Sequence, residues 1–171
     1  MYNTVIMFHV VLHEPEIPQN AGNIARTCAA TGCVLHLIRP LGFEISDKYL
    51  KRAGLDYWHL VEVHVHDDIE EVIGGVPEEK LHFFTTKARC VHSKAHYAEG
   101  DYLIFGKETR GLPEELLVQH PDACVRIPMR EESRSLNLSN SVAIAVYEGL
   151  RQNEYRGLLD RGELHRLKWE E

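Results

Sequence analysis

Apolar positions along the chain fall into short runs separated by polar segments that hold proline or glycine, and the runs alternate between two spacings. Residues 4 to 12, TVIMFHVVL, form a β-branched apolar run that predicts a buried first strand, with Phe8 as its latest start. Pro15 and Pro18 bar helix from the following HEPEIPQN. Asn20 is placed to cap a helix through Ile24, Cys28 and Ala29 that Gly32 stops. Cys33 to Ile38 then reads as a second strand, and strand, helix and strand in so short a span imply a βαβ unit with parallel pairing. The alternation continues. A turn at Arg39 to Phe43 leads to a short basic helix, DKYLKRA, capped by Ser46 and ended by Gly54. His59 to Val65 predicts a strand, Asp67 to Ile73 an acidic helix, Leu81 to Thr86 a strand, and Asp101 to Gly106 another. Pro113 opens a helix over PEELLVQ, Ala123 to Ile127 is a last strand, and a last helix runs from about Ser139 to Asn153. The pattern is that of a single α/β domain built on a parallel sheet, with residues 1–7 and 155–171 as frayed ends.

The stretch Ile127 to Glu148, IPMREESRSLNLSNSVAIAVYE, stands out from this alternation. It leaves a strand at Pro128 and crosses a loop carrying Ser133, Arg134, Ser135, Asn137, Ser139 and Asn140. It then enters a helix with Val142 to Val146 apolar in a row. Such a helix is expected to be buried, so its first free N–H groups must be matched inside the protein by side chains or by a ligand.

Composition adds bounds. A chain of 171 residues, 44% hydrophobic and 26% charged, fits one globular domain, and no signal peptide or membrane-spanning run appears in it. The expectation is a soluble, cytoplasmic protein without membrane contact. Cys28, Cys33, Cys90 and Cys124 lack C-x-x-C spacing and read as reduced, buried thiols. The net charge of −7 argues against an RNA partner until it is located: Glu62, Asp67, Asp68, Glu70, Glu71, Glu78 and Glu79 stand against Lys80 alone within residues 61–80. The rest of the chain is close to neutral, which leaves Lys48, Lys51, Arg52, Arg130 and Arg134 as a candidate basic surface.

No G-x-G-x-x-G follows the first strand, and neither a P-loop nor a G-x-S-x-G elbow is present. Three strand-end loops carry polar groups instead: NAGNIAR from Asn20 to Arg26, FGKETRGLP from Phe105 to Pro113, and the Ile127 stretch. Beyond the carboxyl ends of parallel strands is where open sheets bind ligands. Taken singly, Asn20 and Arg26 read first as a helix cap and a surface arginine, and only second as a polar pair able to hold a phosphate or carboxylate. Gly106 with Glu108 reads as a plain turn, or as a close backbone approach to a flat ligand with an acceptor beside it. His64 and His66 share one strand face, but no third ligand lies near them in sequence.

Together these three segments resemble the three motifs of the SpoU branch of the SPOUT methyltransferases, in the same order and at the same strand ends. The likeness spans nearly the whole chain, including EPEIPQN, RAGLDY and TTKA, and is greatest to the small branch members that methylate the wobble nucleotide of leucine tRNAs. The resemblance implies a C-terminal trefoil knot, S-adenosylmethionine bound bent within it, a homodimer, and tRNA as partner. By motif position it assigns the cofactor to Phe84, Gly106, Ile127, Ser135 and Leu136. Asn20, Arg26, Glu108 and Asn137 take the catalytic and site-ordering positions. The reaction it implies, methylation of a ribose 2′-hydroxyl, requires no metal. Arg26 is either the general base, or the group that holds a phosphate and stabilises the developing alkoxide while water takes the proton. Two other readings stand beside it: the same chemistry on ribosomal RNA or another tRNA ribose, and a protein that binds cofactor and RNA without turnover. The acidic Glu131 and Glu132 lie where RNA would have to pass.

Overall fold

Strands β1 (Phe8–His13), β2 (Val34–Ile38), β3 (Val63–His66), β4 (Leu81–Phe84), β5 (Cys90–Val91), β6 (Asp101–Phe105) and β7 (Cys124–Arg126) join in one sheet. Their order is β3-β2-β1-β6-β4-β7-β5, and every pairing is parallel. The computed structural model describes residues 7–45 and 58–169. The basic helix expected over DKYLKRA, with Lys48, Lys51 and Arg52, lies outside the described residues.

Side chains alternate across the strands, so each face of the sheet builds its own core. Phe8, Val10 and Leu12 of β1, Leu35 and Leu37 of β2, and Leu103 and Phe105 of β6 pack with helices α1 (Pro18–Thr31) and, further along the chain, the long C-terminal Leu138–Gln152. Val11, Ile38, Phe83 and Ile104 face the opposite way, onto the short helices α2 (Glu70–Ile73) and α3 (Glu114–Leu117). Leu138–Gln152 is therefore α4 in chain order. It approaches β1 closely at Gly149, where a Cβ would lie 2.6 Å from Phe8 Cζ.

Parallel strands put all their carboxyl ends at one edge. The strand order also reverses at β1, which lies between β2 and β6, and this switch opens a crevice at that edge. The loops after β1, β4, β6 and β7 all emerge there. At the opposite edge, His82 Nε2 lies 3.0 Å from Asp101 Oδ2, and the Ala98 N–H donates to the same oxygen at 2.9 Å. Both residues are buried.

Several local expectations change. Asn20 does not cap α1: the helix begins at Pro18 with Ile17 at the N-cap, and no side chain caps it. The strand expected over His59 to Val65 begins only at Val63, after a 3-10 turn at Trp58–Leu60. The helices over Asp67 to Ile73 and PEELLVQ shorten to single turns, and the weakly patterned Lys87 to Gly100 contains the edge strand β5. Helix α4 is buried on one side only: Val142, Ala145, Val146 and Leu150 are covered, while Ile144 and Tyr147 are exposed. A run of consecutive apolar residues spans the full turn of a helix, and here the sheet covers half of it. Cys28, Cys33 and Cys124 are buried free thiols, whereas Cys90 on β5 is partly exposed. Burial pushes the Cys33 thiol up to about 11.

Candidate active site

The four loops at the carboxyl edge enclose a cavity of about 540 Å3. Its floor is the stacked pair Phe84 and Phe105, the last residues of β4 and β6, with ring centroids 4.7 Å apart. The β6 loop turns back on itself from Gly106 through a bridge between Lys107 and Gly111. A Cβ at Gly106 would lie 2.0 Å from the Gly111 carbonyl carbon, so only glycine allows that fold. Ile127 and Met129 after β7, then Ser135 and Leu136 before α4, complete the wall. Phe84, Gly106, Ile127, Ser135 and Leu136, expected from the motifs to hold a cofactor, therefore all line one space.

A chain of hydrogen bonds crosses the cavity rim. Glu108 Oε1 accepts from Asn20 Nδ2 at 3.0 Å, and Asn20 Oδ1 accepts from Asn137 Nδ2 at 3.0 Å. Asn137 is also the N-cap of α4, its Oδ1 accepting from the Ser139 and Asn140 N–H groups at 2.9 and 3.2 Å. Glu108 accepts in addition from the Glu16 N–H at 2.8 Å and the Ile17 N–H at 3.1 Å. These are donors at the start of α1 that no side chain of α1 satisfies, so a carboxylate from another loop completes the helix end, where negative charge is favoured. Residues distant in sequence thus lock α1, the β6 loop and α4 together.

Arg26 is placed differently. It lies on the exposed face of α1, about 9 Å along the helix axis from Asn20, and is not among the residues lining the cavity. Arg134 lines the cavity, and Arg130 is exposed on the same loop. His64 and His66 join a row of rings on the α2 and α3 face rather than the cavity, and among the described residues no group of histidine, cysteine and carboxylate side chains is arranged to hold a metal ion. Thr85 and Thr86, directly after β4, also line the site, and the strand-end rule points to them. Glu16, which binds Thr109 across the rim, has no comparable sequence signal: its partner is 93 residues away.

The family model described as the SpoU rRNA Methylase family matches residues 7–147. The chain belongs to this family. Among its relatives, the tRNA (cytidine(34)-2′-O)-methyltransferase of Saccharophagus degradans is 51% identical over 88% of this chain and 99% of its own. The protein of the same name from Methylovorus glucosotrophus is 49% identical over 88% and 99%. A solved structure described by the 2-OH methylation of C/U34 on tRNA is 48% identical, covers 90% of this chain and 100% of its own, and superposes with a TM-score of 0.80. More distant SpoU folds extend the likeness of shape, as in the AviRb methyltransferase of Streptomyces viridochromogenes in complex with AdoMet, at 23% identity and a TM-score of 0.75. Within this SpoU chain, the three motif loops are the ones that meet at the cavity.

Proposed function

We propose that this SpoU protein transfers a methyl group from S-adenosylmethionine to the ribose 2′-hydroxyl of the wobble nucleotide, cytidine or modified uridine 34, of leucine tRNAs, as a cytoplasmic homodimer with the family's trefoil knot. The observation that carries the reading is the convergence of all three motif loops on one cavity with Asn20, Glu108 and Asn137 linked at its rim. The names of relatives near 50% identity over most of both chains support the substrate.

The residues fit the cofactor. About 540 Å3 is within the range of roughly 300–1,000 Å3 that accommodates ligands of this size. Its lining combines an aromatic and aliphatic floor with backbone groups at Gly106, Ile127 and Ser135, suited to an adenine face and its polar edge. When bound, S-adenosylmethionine supplies an electrophilic methyl on a sulfonium. Phe84, Gly106, Ile127, Ser135 and Leu136 hold and orient it. Asn20, Glu108 and Asn137 keep the loops in register so that the acceptor oxygen is met in line. An arginine side chain stays protonated in water at neutral pH, so Arg26 binds an RNA phosphate and stabilises the alkoxide as the hydroxyl proton passes to solvent. Arg134 at the cavity and Arg130 on the same loop contact the RNA, Lys48, Lys51 and Arg52 are further candidate contacts, and affinity falls as salt rises.

Exposed Ile144 and Tyr147 on α4 support the homodimer, since a second subunit would cover them. Among the described residues no helix is long and apolar enough to cross a membrane.

The test is transfer of labelled methyl groups to total bacterial tRNA lacking the wobble methylation, with nucleoside mapping and Arg26→Ala alongside. Label at the wobble ribose, reduced at least ~100-fold in Arg26→Ala at saturating tRNA, is the expected result. Label on ribosomal RNA or at another tRNA position would replace the substrate assignment. Cofactor binding without any transfer would make the protein a binding module.

A further inference from the structure

Glu16 and Glu108 form a reciprocal clasp across the cavity rim. Glu108 takes the N–H groups of Glu16 and Ile17, while Glu16 takes the Thr109 N–H on Oε2 and the Thr109 hydroxyl on Oε1, both at 3.0 Å. Each carboxylate reaches out of its own loop and secures the backbone of the other. Lys107 adds a salt bridge to Glu14 at the same seam, and the Gly42 N–H donates to Pro15 O at 2.9 Å from behind. The loop from Glu14 to Ile17 is thereby fixed against the loop that begins at Gly106.

The placement of the clasp matters more than its strength. On one side is α1, which presents Asn20 to the cavity and Arg26 to the surface where RNA is expected. On the other is the loop whose turn at Gly106 forms part of the cofactor wall. A shift of this seam would change the distance between the methyl donor and the acceptor ribose while leaving each half of the site intact. Two carboxylates, Glu16 and Glu108, are drawn to one rim beside the Glu14–Lys107 ion pair, in a protein proposed above to bind a polyanion. That charge is unfavourable for binding RNA and is explained by alignment of the two loops.

We infer that Glu16, with Thr109, is a positioning residue for methyl transfer, setting the register between the acceptor-binding helix α1 and the cofactor loop. This inference rests on the methyltransferase reading above. Thr109 is exposed and Glu16 only partly buried, so loss of the clasp acts on turnover rather than on folding.

The test compares the full-length wild type, Glu16→Ala, Glu16→Gln and Thr109→Val in kcat at saturating tRNA, Kd for S-adenosylmethionine and melting temperature. Glu16→Ala is expected to lower kcat by about 30-fold, a loss of the size that a misalignment well below 1 Å produces, with cofactor Kd within about threefold of wild type. Thr109→Val keeps the backbone donor but loses the hydroxyl, so it should fall between Glu16→Ala and wild type. Glutamine can still accept from the Thr109 N–H and bond its hydroxyl, so Glu16→Gln should recover most of the rate. Turnover of Glu16→Ala within twofold of wild type would overturn the inference. So would Glu16→Gln as slow as Glu16→Ala, which would make charge rather than position the cause, or a rate loss matched by an equal loss of cofactor affinity. If Glu16→Ala does not fold, Thr109→Val and Glu16→Gln decide by the same readings. Absence of transfer by the wild type would refute the methyltransferase reading itself, separately from the clasp.

Discussion

Asn137 shows how much one side chain does at this site. Its Oδ1 closes the N-terminus of α4, while its Nδ2 reaches Asn20 and so extends the network to Glu108. Asn137→Ala removes a cap, worth about 1 kcal/mol, and also leaves Oδ1 of buried Asn20 without its donor. Urea unfolding should therefore show a loss of about 1–2 kcal/mol, and methyl transfer should fall by more than that small loss of stability explains. An unchanged unfolding midpoint would show that the cap contributes nothing. Sequence spacing legibly marked Asn20, Glu108 and Asn137 as polar groups at strand ends. It misread Asn20 as a helix cap, because a capping role is local whereas its partners lie 88 and 117 residues away.

At the scale of an element, α4 departs most from its pattern. Val142 to Val146 reads as a helix apolar all round, yet the sheet and α1 cover only one side and leave Ile144 and Tyr147 facing out, three residues apart on one exposed face. That face is the natural seat of the proposed subunit contact. Tyr147→Glu places a charge there without touching the cavity, so sedimentation should show a shift from dimer to monomer with the fold preserved. A wild-type monomer, or a variant dimer as tight as the wild type, would remove α4 from the interface. The short elements α2 and α3 shrank for a related reason. Single-turn helices gain little from propensity alone, and only packing on the sheet decides how many residues stay helical.

Across the whole molecule, the sheet carries a polar row unrelated to the cavity. His9 Nδ1 lies 2.9 Å from His36 Nε2, and His36 Nδ1 lies 3.0 Å from His66 Nε2, with His64 and Tyr102 stacked alongside and Glu62, Glu71 and Lys80 at the margins. Burial, then the neighbouring His9, His66 and His64, push His36 down to about 3. Burial is the first cause because it disfavours the charged ring, and a neutral His36 can still donate to one neighbour and accept from the other. Because the folded pKa lies below the unfolded 6.5, the unfolded chain binds the extra proton first. The stabilisation is complete above about pH 6.5 and is lost as pH falls towards the folded value. The unfolded ring is half protonated at pH 6.5 and the slope rises towards about 1.4 kcal/mol per pH unit below it, so between pH 6.5 and 5 His36 alone removes about 1.6 kcal/mol, or roughly 3–6 °C of melting temperature. His36→Gln should flatten that dependence; an equally steep variant would assign it elsewhere.

What the sequence by itself determined was the alternation of elements, the parallel sheet and the three polar loops at strand ends, because periodicity and turn chemistry are properties of neighbouring residues. That the loops share a rim followed once all strands were parallel, since their carboxyl ends then face one edge. The tertiary structure alone decided the strand order β3-β2-β1-β6-β4-β7-β5, the histidine row, and the clasp between Glu16 and Thr109. Each joins residues far apart in the chain, and their proximity comes from packing of the whole sheet, which leaves no local periodicity to read.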